Sequence, residues 1–186
     1  RQQDHVSCLV LPELGGVNVE WGEDSEGRAA IFLPNRLNCY NEFLQKFFAS
    51  DIRKVTHDAK DLMRVLMAEK LPVEGIIFDT ALAGYLLDAT AGKYDLEHLG
   101  MTWFNTSFPK AAAYLAEDAF TAMGENPEAL GAWLSHTALV DALYDEMLPK
   151  VKETHELQEP KAKQRLFLKK LKQRLEKIML QNLPMI

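Results

Sequence analysis

Hard divalent cations take oxygen ligands, so carboxylates are the first residues to examine for hydrolytic chemistry. Asp58 and Asp61 stand three apart in a helical stretch, and Asp118 ends a Tyr114-Leu115-Ala116-Glu117-Asp118 run. Asn18-Val19-Glu20 puts an amide where a second carboxylate would sit. The five histidines, His5, His57, His98, His136 and His155, form no H-x-x-x-H or H-E-x-x-H pair, which argues against a zinc site. No G-x-S-x-G or G-x-x-x-x-G-K-[ST] occurs, so common hydrolase and nucleotide-loop readings fall away. Cys8 and Cys39 have no metal or redox spacing and fit a reducing cytoplasm. Asp79 reads as a helix cap. His136 reads as a surface or interface residue of a long helix. Trp103, Phe104 and Phe108 lack interleaved basic residues, so they read as core rather than as a base-stacking surface.

These residues need elements to hold them, and the chain is organised around Arg53 to Asp88. Arg53 to Thr56 is a short β run. Asp58 is placed to cap a helix with Leu62, Val65 and Leu66 at helical spacing, and Pro72 lies past its end. Gly75-Ile76-Ile77-Phe78 is apolar throughout and predicts a strand covered on both faces. Asp79 and Thr80 then start a helix whose inner face is expected to be Leu82, Tyr85 and Leu86. Two strands joined through a helix run parallel, with a right-handed crossover.

Upstream, His5 to Leu11 predicts an interior strand. Val17 to Trp21 alternates apolar and polar, predicting a half-buried strand, and Arg28 to Leu33 returns after the turn-forming Gly22-Glu23-Asp24-Ser25-Glu26-Gly27. Asn38 to Ala49 predicts a helix. Downstream, Asp95 caps a short helix, Ala111 to Met123 is alanine-rich and expected helical, and Glu128 to Met147 forms a long helix that Pro149 interrupts. Three antiparallel strands followed by parallel crossover strands, with helices on both faces, give an α/β mixed sheet of ribonuclease-H-like layout.

With 186 residues, 47% of them apolar, the chain can bury one substantial core. No apolar run reaches the roughly 18 residues of a membrane span, and no signal-peptide pattern is present. The net charge of −6 is unevenly spread: residues 161–186 carry eight basic and one acidic side chain (+7), leaving thirteen basic and twenty-six acidic (−13) before them. A body at −13 repels a polyanion at long range. The absence of an initial methionine and the apolar Leu-Pro-Met-Ile end lead to the expectation of a piece cut from a longer protein.

Lys54-Val55-x-His57-Asp58-x-Lys60 is similar to a K-x-G-H-N-x-K-x-D segment, and Phe78-Asp79-Thr80-x-Leu82-x-x-Tyr85-Leu86-Leu87 to an F-D-T-x-L-x-x-Y-L-L helix start. Asp95-Leu96-x-x-Leu99, Leu143-Tyr144-x-x-x-Leu148-Pro149-x-Val151 and Glu176-Lys177-Ile178-x-Leu180-x-x-Leu183-Pro184 follow in order. Together these resemble the 3′–5′ exonuclease domain of bacterial DNA polymerase I, the family A polymerase, over roughly residues 52–151 and the C-terminus. The N-terminal strands match by layout only.

The resemblance implies two divalent ions, magnesium or manganese, between four carboxylates. These come from a D-x-E on the first strand, an aspartate on the helix after the second segment, and a Y-x-x-x-D on the last helix. His5 to Leu11 contains no acid. The helix position falls on Leu62, with Asp61 one place early and so rotated by about 100° away from the site. On the last helix His136 stands at the aspartate position and Ala132 at the tyrosine position. The Tyr114 to Asp118 run imitates the third motif but leaves about 25 residues between Asp118 and Leu143-Tyr144, where the resemblance implies only a few.

The expectation is therefore a degenerate exonuclease-like domain at residues 1–158, with a basic linker helix at residues 159–186 leading into a polymerase region. It is assigned no catalytic, cofactor-binding or metal residue. Its expected partners are the polymerase region of the same polypeptide and, through it, DNA; it is expected to be cytoplasmic, monomeric and free of membrane. One rival is an active exonuclease using Asp58, Asp61 and Asp118 with magnesium or manganese. Another is a DNA-binding module using Lys169, Lys170, Lys172 and Arg174 on the C-terminal helix, whose apolar face would be Leu168, Leu171, Leu175 and Ile178.

Overall fold

The computed structural model describes residues 4–22, 27–121 and 124–158; the expected basic helix at residues 159–186 lies outside them. The chain divides into two units, Arg1–Leu148 and Pro149–Ile186, and the sheet with the helices packed on it belongs to the first. The elements are β1 (Val6–Val10), β2 (Val17–Trp21), β3 (Arg28–Phe32), α1 (Tyr40–Ala49), β4 (Lys54–Thr56), α2 (Ala59–Ala68), β5 (Ile76–Asp79), α3 (Thr80–Leu87), α4 (Leu96–Phe104), α5 (Ala112–Leu115), β6 (Phe120–Thr121), β7 (Gly124–Glu125) and α6 (Pro127–Gln158).

The main sheet has the order β3-β2-β1-β4-β5. β1, β2 and β3 form the expected antiparallel meander, with Val10 opposite Val17 and Val17 opposite Phe32. β4 adds parallel to β1, and β5 parallel to β4. The side-chain alternation of β1 sends Cys8 to one face and Ser7 to the other. On the first face Cys8, Val17 and Val19 pack with Tyr40, Leu44 and Phe48 of α1 and Leu62 and Leu66 of α2. On the second, Ser7 donates to Asp141 at 2.8 Å and Asn18 to Thr137 at 2.8 Å, both on α6. Helices thus cover both faces.

Lys54 pins the parallel half. Its side chain is fully buried, yet Nζ donates to the carbonyls of Ser50, Ile52 and Glu74 at 3.1, 2.8 and 3.1 Å and lies 5.0 Å from the Phe47 ring centroid. Burial lowers its pKa. The ammonium therefore satisfies three carbonyls on either side of β4 and β5, so that desolvation is offset by hydrogen bonds. Gly75 makes this approach possible. Its φ is +75°, and a Cβ there would stand 2.3 Å from the Ile52 carbonyl oxygen.

Several expectations are corrected. β5 is an edge strand rather than one covered on both faces, and Ile77 is exposed. α3 buries Thr80, Ala83 and Gly84, so Leu82, Tyr85 and Leu86 form its outer face. Small residues let α3 sit close: a Cβ at Gly84 would meet Leu99 at 3.0 Å. Asn18 is buried instead of solvent-facing, because α6 covers the second face of β2. Among its described residues, the alanine-rich segment is helical over Ala112–Leu115 and then enters β6, which pairs antiparallel with β7. There Phe120 and Tyr114 pack on Trp133, with ring centroids 5.0 and 6.4 Å away, so tertiary contacts override helix propensity. Pro149 lies inside α6 and does not interrupt it. Among the described residues no helix is long and apolar enough to cross a membrane.

Candidate functional site

β1 and β4 end side by side, and their C-terminal ends open into a cleft of about 350 Å³. In a sheet with parallel strands this is where side chains from successive loops converge. Leu9 and Leu11 form one wall, Leu62 from α2 and Leu96 from α4 contribute another, and Tyr114 closes the back. Asp58, Asp61, Asp95 and Glu97 stand around the mouth, with Arg64 as the cation among them. The cleft is apolar within and acidic at its rim.

Asp79 sets the position of the two helices beside it. One carboxylate oxygen accepts from the Ala81 and Leu82 amides at 2.9 and 3.4 Å, capping α3. That oxygen also accepts from the Asp58 amide, and its partner oxygen from the Ala59 amide, each at 2.9 Å. A single side chain therefore satisfies the otherwise unpaired donors of two helix N-termini. The expected cap at Asp58 is corrected: Asp58 occupies the cap position of α2 at φ 58° but makes no side-chain capping bond. Burial, then the carboxylates of Asp61 and Asp79, raise the Asp58 pKa.

His57 is held on the other side of this turn, its Nδ1 2.8 Å from Thr80 Oγ1, and burial lowers its pKa. His136, expected at a surface, is fully buried. Its Nε2 lies 2.7 Å from the Pro109 carbonyl, which only accepts, so Nε2–H donates there. Nδ1 is then the acceptor for the Tyr114 hydroxyl at 2.8 Å. Burial lowers the His136 pKa, which favours this neutral ring. Both ring nitrogens are engaged, and the imidazole ties the Asn105 to Leu115 segment to α6. Sequence reasoning missed this network because Tyr114 and His136 are joined through the irregular chain around Pro109, which carries no periodic signal.

Of the positions matched to metal ligands, Leu62 faces the cleft, 9% exposed, while the neighbouring Asp61 is solvent-exposed 3.7 Å from Arg64. Asp61 borders the mouth, so it is displaced from the interior without leaving the cleft altogether. Ala132 is buried in α6. Tyr114 ends inside the four-residue α5 and Asp118 lies beyond it, exposed, so the two share no helix face. Cys8 is buried in the core against α1 and α2, and desolvation pushes its thiol up to about 12. Trp103, Phe104 and Phe108 are partly buried, with Phe108 lying against Gly100 and beside the His136 ring. Among the described residues no three His, Cys, Asp or Glu side chains are grouped to hold a metal ion. The donor set does not fit a paired-metal centre, because the interior of the cleft carries leucines and Tyr114, whose hydroxyl donates to the buried His136 behind it.

Residues 18–106 match the family model described as DNA polymerase I, ribonuclease H-like domain. A solved structure of the polymerase domain of Pol1 from M. smegmatis, in complex with DNA primer-template and dNTP, superposes with a TM-score of 0.50 at 19% identity. The alignment covers 78% of this chain and 24% of that one, so the chain spans about a quarter of the solved chain's length. At this identity the likeness is one of fold. No curated protein matches the chain.

Proposed function

We propose that this chain, which over residues 18–106 belongs to the ribonuclease H-like domain family of DNA polymerase I, is a non-catalytic member of that family. Its role is to support the DNA-directed polymerase region of the same polypeptide in replication and repair. The observation that carries this reading is the interior of the cleft. Where two cations would need about four compensating negative charges, Leu9, Leu11, Leu62 and Tyr114 line the cleft instead, and Tyr114 is bonded to the neutral His136 behind it. A phosphodiester brought to the acidic rim without cations would meet Asp58, Asp61, Asp95 and Glu97 against the single guanidinium of Arg64, a net repulsion.

On this reading the domain needs neither magnesium nor manganese, meets DNA only through the polymerase region, works in the cytoplasm as a monomer, and continues through residues 159–186 as a linker. The rival with atypical ligands has Asp58 and Asp61 at the mouth of the cleft, but Asp118 does not line it. A crystal soaked in manganese separates the two. The expected result is no paired ions between the end of β1, Leu62 and His136; two ions bridged inside the cleft would overturn the proposal.

A further inference from the structure

α3 presents an apolar face that no described element covers. Leu82, Tyr85 and Leu86 are 55, 50 and 49% exposed, Met67 at the end of α2 is 59% exposed, and Ile77 of β5 is 40% exposed. Met67, Ile77 and Leu82 line one open groove of about 580 Å³ between α2 and β5. Tyr85 and Leu86 continue the surface from Leu82 by one helical turn. The groove lies along the free edge of β5, the terminal strand of the sheet. The fold itself accounts for the other residues of this segment: Asp79 caps two helices, and Thr80, Ala83 and Gly84 are buried. Tyr85 meets the edge of Tyr94 at 5.8 Å between ring centroids, but the fold gives no reason for Leu82 and Leu86 to point outward beside it. Contiguous exposed apolar surface beside an open sheet edge marks a contact site.

We infer that this face docks against an apolar surface of the polymerase region in the same polypeptide, an inference that rests on the reading of the chain as a supporting domain. Charge argues for a protein surface over nucleic acid: Lys60 and Arg64 are the cations lining the groove, too few to track phosphates, and the residues before 161 sum to −13. Area argues for a tethered partner over a second copy. Five side chains exposed by about half fall short of the roughly 800 Å² per partner used in stable free association. Tethering raises the effective concentration, so a smaller contact suffices. In the solved M. smegmatis structure the matched fold is 24% of one chain, which leaves three quarters of that polypeptide tethered to such a fold.

The test joins this chain to its polymerase region and compares the joined polypeptide with the chain alone. Leu82→Asp combined with Leu86→Asp should lower the melting temperature of the polymerase transition by about 3 °C or more, yet leave the chain alone within about 1 °C of its parent. Independently of any variant, amides from Ile77 to Leu86 should exchange more slowly in the joined polypeptide than in the chain alone. An unchanged transition in the joined variant, or equal exchange in the two wild-type proteins, would overturn the inference. So would sedimentation of the chain alone as a dimer that Leu82→Asp dissociates, since the face would then serve a second copy. Deleting the whole chain without any effect on the polymerase transition would instead sink the supporting-domain reading, a result distinct from that of the surface variant.

Discussion

Individual side chains in this molecule have structural uses at positions that the resemblance matches to metal ligands. His136 illustrates it: a carboxylate there would bring a buried charge, whereas the neutral imidazole donates to Pro109 and accepts from Tyr114. At the opposite end of β1, His5 behaves in the reverse sense. Burial alone would lower its pKa, but hydrogen bonds to Asp141 at 2.8 Å and to Asp4 at 3.3 Å outweigh that and raise it above 6.5. The bonded imidazolium is thus favoured in the folded state, and its stabilisation is complete below the unfolded pKa of about 6.5 and lost as pH rises through the higher folded value. For His57 and His136, held neutral by burial, the sign is opposite: their contribution is present above about pH 6.5 and lost as pH falls through their lowered folded values. Proton NMR titration should show His5 titrating above 6.5 and the other two below it. His5→Gln should reduce stability at pH 6 more than at pH 8, as read by urea denaturation.

Among the elements, the turn between β5 and α3 bears the most on the cleft, because Asp79 fixes the start of α2 as well as that of α3. Replacing Asp79 by Ala should cost about 2–4 kcal/mol, more than a single helix cap, since two N-termini lose their acceptor. Urea unfolding of the chain measures this, and a loss below about 0.5 kcal/mol would show that solvent replaces the carboxylate readily. The strands were legible in the sequence because β1 is a continuous β-forming run, β2 alternates apolar and polar residues, and β3 returns after a turn-forming segment. The facing of α3 was not. Leu82, Tyr85 and Leu86 make an apolar stripe at helical spacing, and such a stripe reads as core unless the burial of Ala83 and Gly84 is known. The segment from Ala111 to Met123 failed for a related reason: alanine signals helix locally, while Trp133, distant in sequence, draws Tyr114 and Phe120 into another path. The non-carboxylate residues at Leu62 and in β1 could be set against expected ligand positions only through the family resemblance. The burial of His136 was not legible, since its partners Tyr114 and Pro109 lie 22 and 27 residues away.

For the molecule as a whole, the sheet has a ribonuclease-H-like layout, and the cleft at the ends of β1 and β4 is lined inside by leucines and Tyr114. An acidic rim around an apolar floor gathers no phosphate, and the strong negative charge of the body acts in the same direction at longer range. What the fold offers outward is the apolar face of α3 beside the β5 edge. On the proposed reading, these features belong to a domain that contributes packing to a polymerase polypeptide and no bond cleavage of its own.

The release of nucleotides from 3′-labelled single-stranded DNA, followed with purified chain in magnesium or manganese, tests that claim most directly. The account predicts release indistinguishable from a protein-free control, and no change on Asp61→Ala. Steady release that depends on the metal and is abolished by Asp61→Ala would contradict it.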